Sequence, residues 1–236
     1  MSGGRLAVAR LGLVPYGEAL SRQRAIAEDR IAGRLASDVL LLLEHPPVVT
    51  LGRGTRETSL PVAPEALRRR GIEVFEIERG GDVTYHGPGQ LVGYPIFDLA
   101  AHRKDLHWFL RQLEEALFTA LARFGVPAER RASYTGVWTG GRKIASIGIH
   151  VRQWVTWHGF ALNVTADLAA FDLIVPCGIP DVVMTSLARE LGRSDARAPA
   201  GEDELMGRTR DAIVDAFVQT FGFSGVETFD PAMTTA

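Results

Sequence analysis

Cysteine is almost missing from this chain of 236 residues: there is one, Cys177. A single thiol excludes an intrachain disulfide and any zinc or iron–sulfur site built from several cysteines, and it fits a reducing compartment. Long apolar runs are missing as well. No stretch of roughly 18 apolar residues is present to span a membrane, and the apolar segment Leu11–Val14, cut off by Pro15, is too short for the core of a signal peptide. The sequence therefore predicts a cytoplasmic protein without a membrane partner. An excess of positive charge is also lacking, with 26 Lys+Arg against 28 Asp+Glu and a formal net charge of -2. A protein that gains affinity by neutralising phosphates is normally basic, so nucleic acid is not expected as a partner. Linker-like tracts, repeats and low-complexity segments are absent too, which predicts one domain over residues 1–236. What is present is apolar content of 46%, enough to exclude disorder of the whole chain and to build a sizeable core.

The apolar pattern predicts strands at 6–13, 38–44, 48–51 and 72–78, with an amphipathic helix from Tyr16 to Ile31. A short helix is expected at Pro64–Arg70, closed by Gly71. Leu106, Phe109, Leu110, Leu113, Leu117, Ala120, Leu121 and Phe124 form the clearest helical stripe, ended by Gly125. Beyond it, 136–138, 143–151 and 154–163 read as strands joined by tight turns at Gly140-Gly141 and near Arg152-Gln153. A last helix is expected over 203–220, with Phe221 just beyond it. Strands and helices mix without strict alternation, which points to an α+β (mixed α/β) fold with a mixed sheet flanked by helices.

Three segments carry candidate chemistry. Arg79–Gln90 holds four glycines among polar and aromatic residues; such backbone lets a ligand approach closely and presents amides to it. Its spacing matches neither a Rossmann nor a Walker fingerprint, and Gly136 to Ile144 misses the Walker pattern by one position. The alternative for this segment is a pair of turns around a short strand at 83–86. In the run Lys143–His150, period two places Lys143, Ala145, Ile147 and Ile149 on one strand face and Ser146, Gly148 and His150 on the other. Lys143 is then either a charge at the edge of an apolar face or a strand-end lysine reaching water. Finally, Cys177 follows an expected apolar strand and lies between Pro176 and Gly178. A lone cysteine is commonly a buried small hydrophobe, but these flanks set it on a turn, where a side chain can be offered to a cleft. To react it must ionise, and a neighbouring cation, Lys143 or His86, would promote that. The six histidines, 45, 86, 102, 107, 150 and 158, show no metal-ligand spacing, so no metal is expected.

Taken together, Leu43–Gly52, Arg79–Gln90, Gly136–Trp138, Gly141–Gly148, Thr156–Asn163 and Ile174–Ile179 closely resemble the lipoyl(octanoyl) transferase family, in the family's order. The resemblance implies a fold related to the catalytic domain of biotin and lipoate protein ligases. It also implies transfer of an octanoyl group from octanoyl-acyl carrier protein to a lysine of a lipoyl domain, as in 2-oxoacid dehydrogenase complexes and the glycine cleavage H protein. By position, Cys177 is similar to the family's acyl-accepting nucleophile and Lys143 to the group that lowers its pKa. His86 is a further candidate as the acceptor lysine's proton acceptor, beside Lys143. Arg79, Gly80, Gly81, Asp82, Val83, Thr84, Tyr85 and His86 match a segment that lines the acyl site, as do Ser146, Ile147 and Gly148, and Gly159, Phe160 and Ala161. Asp82, where Gln is frequent, and Ser133-Tyr134-Thr135 depart from the commonest pattern. No ATP, metal or other cofactor is implied, since exchanging a thioester for an amide is downhill. Backbone amides of the Gly-rich segments are candidate oxyanion donors, and Arg53, Arg142 and Arg152 are candidate contacts for acidic carrier domains. The competing readings are an ATP-dependent lipoate or biotin ligase of the same fold, a non-catalytic acyl-binding protein and a thiol hydrolase.

Overall fold

A computed structural model of the chain describes residues 3–132, 134–192 and 204–233. Ser133 and Asp203, which figured in the expectations above, lie outside the described residues. In chain order the elements are β1 (Gly3–Leu13), α1 (Tyr16–Ile31), β2 (Val39–Glu44), β3 (Val48–Leu51), α2 (Pro64–Arg69), β4 (Glu73–Glu76), β5 (Thr84–His86), β6 (Gln90–Ile96), α3 (Leu106–Ala122), β7 (Glu129–Arg131), β8 (Tyr134–Thr139), β9 (Arg142–Arg152), β10 (Val155–Asn163), α4 (Leu187–Glu190), α5 (Glu204–Phe221) and β11 (Phe223–Thr228).

Eight strands form one sheet in the order β11-β1-β2-β6-β10-β9-β8-β7, and β4-β3-β5 form a second, smaller one. The large sheet is mixed: β1 runs parallel to both β11 and β2, whereas β2–β6, β6–β10, β10–β9, β9–β8 and β8–β7 are antiparallel. β2, Val-Leu-Leu-Leu-Leu-Glu, is buried along its whole length because helices cover both sheet faces. On one face Leu40, Leu42, Phe160 and Leu162 meet the stripe Phe109, Leu113, Leu117 and Leu121 of α3 and Ile213 and Phe217 of α5. On the other, Leu41, Leu43, Val92 and Tyr94 pack with Ala19, Ile26 and Ala27 of α1. The helix α3 starts where the Asp105 side chain accepts a hydrogen bond from the Trp108 amide, and it is followed by Gly125 at a φ of 72°. No helix among the described residues is long and apolar enough to cross a membrane.

Besides the unexpected single-turn helix α4, the structure departs from the expected elements in three places. No strand was expected at β6, yet it lies in the middle of the sheet. Its Gly93 and Pro95 read as breakers, since proline cannot donate to a ladder and is rare in central strands. Here the proline ring has room because it faces Gly159, where a Cβ would lie 2.5 Å from Pro95 Cδ, and the ladder continues through Thr156 Oγ1, which donates to the Pro95 carbonyl at 2.8 Å and accepts from the Phe97 amide at 3.1 Å. Gly93 is required by packing: a Cβ there would run into the Phe160 ring. Second, β7 and β11 are short edge strands of mixed polarity, with no alternation to reveal them. Third, the apolar strand expected before Cys177 is absent. Leu168–Leu173 and Pro176–Gly178 form 3-10 turns, and Val175 donates to the Ser59 carbonyl at 2.9 Å. The apolar side chains Phe171 and Ile174 still enter a core, the one under the small sheet.

Candidate active site around Cys177 and Lys143

Cys177 occupies the turn Pro176–Gly178 in a left-handed conformation, φ 57° and ψ 22°. That region costs an ordinary residue about 1–2 kcal/mol, so its environment must hold it there. The Cys177 amide donates to the Val83 carbonyl at 2.9 Å, and the Gly178 amide to the Val175 carbonyl at 2.9 Å. Gly178 itself has a φ of 63° and packs so closely on Asp82 that a Cβ would strike its carboxylate. Glycine is thus needed after Cys177 for two separate reasons.

Lys143 is fully buried, with its Nζ 3.0 Å from Cys177 Sγ and 5.0 Å from the centroid of the Trp138 ring. Ser146 Oγ stands 3.7 Å from the same sulfur. Strict alternation puts Lys143 and Ser146 on opposite faces of β9, and the structure corrects this. The β8–β9 register slips between Val137 and Trp138: Val137 pairs with Ala145, but Trp138 pairs with Lys143. One extra residue in β9 makes a bulge that turns Lys143 to the Ser146 side. Gly136, at φ 142°, completes the arrangement, since a Cβ there would lie 3.1 Å from Lys143 Cε and 2.8 Å from the Ala145 carbonyl. The Lys143 backbone is clamped as well, its amide donating to the Val183 carbonyl at 2.8 Å and its carbonyl accepting from Thr185 at 2.9 Å.

A chain of buried hydrogen bonds ties this strand to the Gly-rich segment. His86 Nδ1 meets Gln90 Oε1 at 2.7 Å, Gln90 Nε2 donates to Asn163 Oδ1 at 2.9 Å, and Asn163 Nδ2 donates to the Thr185 carbonyl at 2.9 Å. The Gly-rich segment is also braced from outside. Arg53 and Gly54 donate their amides to the carbonyls of Arg79 and Gly81, both at 3.0 Å, and Gly80 donates to Ile149 at 2.9 Å. Gly89 donates to Glu44 Oε2 at 2.8 Å. Within the Gly-rich segment expected to supply oxyanion donors, the amides of Gly80 and Gly89 are therefore engaged inside the protein and are removed as donors.

Burial by itself would push the Cys177 thiol up. It is outweighed by the charge of Lys143, the hydrogen bonds from Lys143 and Ser146, and the more distant Arg79 charge, so the thiol is held below its ordinary value. Arg79 is buried, its Nη2 donating to the Thr50 carbonyl at 2.8 Å and to Thr50 Oγ1 at 2.9 Å. Burial lowers its pKa, while the nearby Cys177 charge favours the guanidinium. His86 is no cation: burial, chiefly, with the neighbouring His45, pushes it down to about 3. Its candidacy as the thiol's cationic neighbour is thereby corrected, and Lys143 stands at the sulfur instead.

Around the sulfur opens a cavity of about 260 Å³. Fourteen of the residues expected from the sequence line it: Arg79, Gly80, Gly81, Asp82, Thr84, His86, Lys143, Ser146, Ile147, Gly148, Gly159, Phe160, Ala161 and Cys177. Val83 and Tyr85 do not line it. They alternate with Asp82 and Thr84, and their side chains enter the core with Val49, Leu67 and Phe171, Tyr85 meeting the Phe171 ring edge-on. Sequence reasoning missed Tyr16, Val92, Tyr94 and His158, which also line the cavity. Tyr16 was read as one more apolar position of a helix, and Val92 and Tyr94 belong to the strand that was not expected. His158 sat in a recognised block but beside its marked residues. The sheet side of the cavity is made of small residues, since Ser146 and Gly148 of β9 pair with Ala161 and Gly159 of β10. A Cβ on Gly148 would lie 2.8 Å from the Gly80 carbonyl, so glycine lets the Gly-rich segment close over the strand.

Known proteins resemble this chain over most of its length. The family described as the lipoyl protein ligase A/B catalytic domain matches residues 15–217. An octanoyltransferase of Gloeobacter violaceus is 51% identical over 219 residues, 93% of this chain and 91% of that one. Another, of Geobacter sulfurreducens, is 52% identical over 214 residues, 86% of this chain and 88% of its own. Among solved structures, lipoate-protein ligase A bound with ATP superposes with a TM-score of 0.70 at 16% identity, over 97% of this chain and 90% of that one, a likeness of fold.

Proposed function

This chain belongs to the octanoyltransferase family, on the lipoyl protein ligase A/B catalytic domain, and from that premise we propose that it carries an octanoyl group on Cys177 between two carrier domains. The donor is the thioester of octanoyl-acyl carrier protein. The acceptor is the target lysine of a lipoyl domain, of the kind found in 2-oxoacid dehydrogenase complexes and the glycine cleavage H protein. The observation that carries this reading is the 3.0 Å contact between Cys177 Sγ and a fully buried Lys143 Nζ, at the wall of a cavity with an apolar side.

In the first half-reaction the Cys177 thiolate attacks the octanoyl carbonyl. The oxyanion forms beside Lys143 Nζ and Ser146 Oγ, the two donors already at the sulfur; one such donor is typically worth about 3 kcal/mol. The carbon–sulfur bond to phosphopantetheine then breaks, and Lys143 gives its proton to the departing thiolate. That direction follows from burial. Once Cys177 is acylated, the Lys143 ammonium has lost its counter-charge, and a buried unpaired charge is disfavoured. In the second half the neutral Lys143 takes a proton from the acceptor lysine, whose amine attacks the Cys177 thioester. The amide forms, Cys177 leaves as thiolate, and Lys143 again faces it as ammonium. His86, pushed down to about 3, is the poorer proton acceptor. The acyl chain lies along Ile147, Gly148, Gly159, Phe160 and Ala161. Each step exchanges one acyl bond for another of equal or greater stability, so ATP is not required.

The experiment is transfer from octanoyl-acyl carrier protein to a lipoyl domain in the absence of nucleotide. Wild-type enzyme is expected to transfer, and Cys177→Ala to lose transfer by at least about a thousandfold. Activity that requires ATP and survives Cys177→Ala would instead mark an ATP-dependent ligase.

A further inference from the structure

Acylation of Cys177 changes the charge of the cavity, and the second nucleophile must enter what remains. Before acylation a thiolate sits against Lys143, with the buried Arg79 guanidinium nearby. Afterwards the sulfur is neutral and Arg79 is still present. An acceptor lysine arrives as an ammonium, which Arg79 repels in a partly desolvated cleft, where such repulsion is stronger than in water.

Among the described residues that line the cavity there is one carboxylate, Asp82. Its place is fixed from three sides: Oδ1 accepts from the Val83 amide at 2.6 Å, Oδ2 accepts from Ser59 Oγ at 2.7 Å, and Oδ2 lies where a Cβ of Gly178 would be. Since the Val83 carbonyl holds the Cys177 amide, the carboxylate is anchored to the nucleophile turn at both Cys177 and the residue after it. Each carboxylate oxygen can accept more than one hydrogen bond, and the half-buried side chain keeps a face toward the cavity. The incoming thioester of the first half-reaction offers no cation at its reacting end, so a carboxylate here has nothing to recognise in that step.

We propose that Asp82 is the subsite that receives the ε-ammonium of the acceptor lysine and holds it against the Cys177 thioester. The inference rests on the covalent reading of Cys177 given above. In the step itself the ammonium hydrogen-bonds to the Asp82 carboxylate and passes one proton to neutral Lys143. Its nitrogen then bonds to the octanoyl carbon as the carbon–sulfur bond breaks, and its second proton is released to solvent, which leaves the amide, the Cys177 thiolate and the Lys143 ammonium, with Asp82 as it began.

The test separates the half-reactions and the charge of the nucleophile. Octanoyl-enzyme is prepared from wild type and from Asp82→Asn, whose amide can keep hydrogen bonds to Val83 and Ser59 while losing the charge. Each is mixed with a lipoyl domain, or with hydroxylamine, which is neutral at pH 7. From octanoyl-enzyme already formed, the rate of transfer to the lipoyl domain relative to the rate of cleavage by hydroxylamine is expected to fall at least about tenfold in Asp82→Asn. Equal transfer to the lipoyl domain in both proteins would overturn the proposal. So would a matching loss with hydroxylamine, which would make Asp82 a structural tie between the turn and Ser59. Failure of the wild type to acquire an octanoyl group at all would strike the Cys177 reading itself, a result distinct from either.

Discussion

At Cys177 two opposed effects meet, and their balance decides reactivity. Burial favours the neutral thiol, whereas Lys143 at 3.0 Å, Ser146 at 3.7 Å and the charge of Arg79 favour the thiolate, and the favourable group prevails. Replacing Lys143 with Ala is expected to raise the thiol pKa, since the Lys143 charge and its hydrogen bond both favour the thiolate. Absorbance of the thiolate in the ultraviolet measures it, and an unchanged titration would remove Lys143 as the tuning group. Because the thiol is depressed in the wild type, acylation should already be near its plateau at pH values where the variant is still rising. Gly178→Ala should destabilise the protein by on the order of 1–2 kcal/mol, from its φ of 63° and the contact with Asp82, read as a lower denaturation midpoint. At this scale the sequence was informative about Cys177, because Pro176 and Gly178 announce a turn. It was silent about the approach of Lys143 to Ser146. That approach depends on a bulge, and a single extra residue in a strand leaves no trace in an alternation pattern.

Among the elements, β6 and β10 supply cavity wall beside β9, and they pack closely on each other. Gly93 lies beneath the Phe160 ring, and Phe160 lines the cavity. Gly93→Val is therefore expected to cost at least about 2 kcal/mol, by overpacking, with thermal unfolding as the measurement. Asn163 links Gln90 to the Thr185 carbonyl, and Thr185 in turn bonds the Lys143 carbonyl. Asn163→Ala removes the side-chain donor from the buried Thr185 carbonyl and leaves Gln90 Nε2 with the Tyr85 carbonyl at 3.3 Å; it should cost about 1–3 kcal/mol and slow acylation as Lys143 loses its fixed position. Rapid-mixing acylation assays would detect this, and a variant with wild-type acylation would show the chain of hydrogen bonds to be dispensable. The helices were legible because α1, α3 and α5 each show an apolar stripe. Strand β6 was not, because Gly93 and Pro95 look like breakers until their neighbours Phe160 and Thr156 are known.

Over the whole molecule, the near-neutral charge means that attraction for the acidic carrier domains proposed as partners has to come from local groups. The candidates named from sequence differ in what the fold leaves them. Arg142 is held by Glu190 through bonds of 3.0 and 2.8 Å, and Arg152 lies 3.8 Å from Glu28. The interior also stores a dependence on pH. Burial is the main cause that pushes His45 down to about 4 and His86 to about 3, against an ordinary 6.5. The unfolded chain therefore binds protons first as pH falls. Stability is complete above pH 6.5 and declines toward the folded values, by on the order of 2 kcal/mol per histidine at pH 5. Denaturation midpoints at pH 7.5 and 5.0 should show that loss, and a flat profile would mean these rings are not buried as neutral imidazoles. The one cysteine that first excluded disulfides and clustered metal sites is, on this account, the acyl carrier. Intact-mass measurement after mixing the protein with octanoyl-acyl carrier protein, without acceptor, tests that most directly. Wild type should gain the mass of one octanoyl group and Cys177→Ala none; an unmodified wild type, or an adduct that persists in Cys177→Ala, would contradict it.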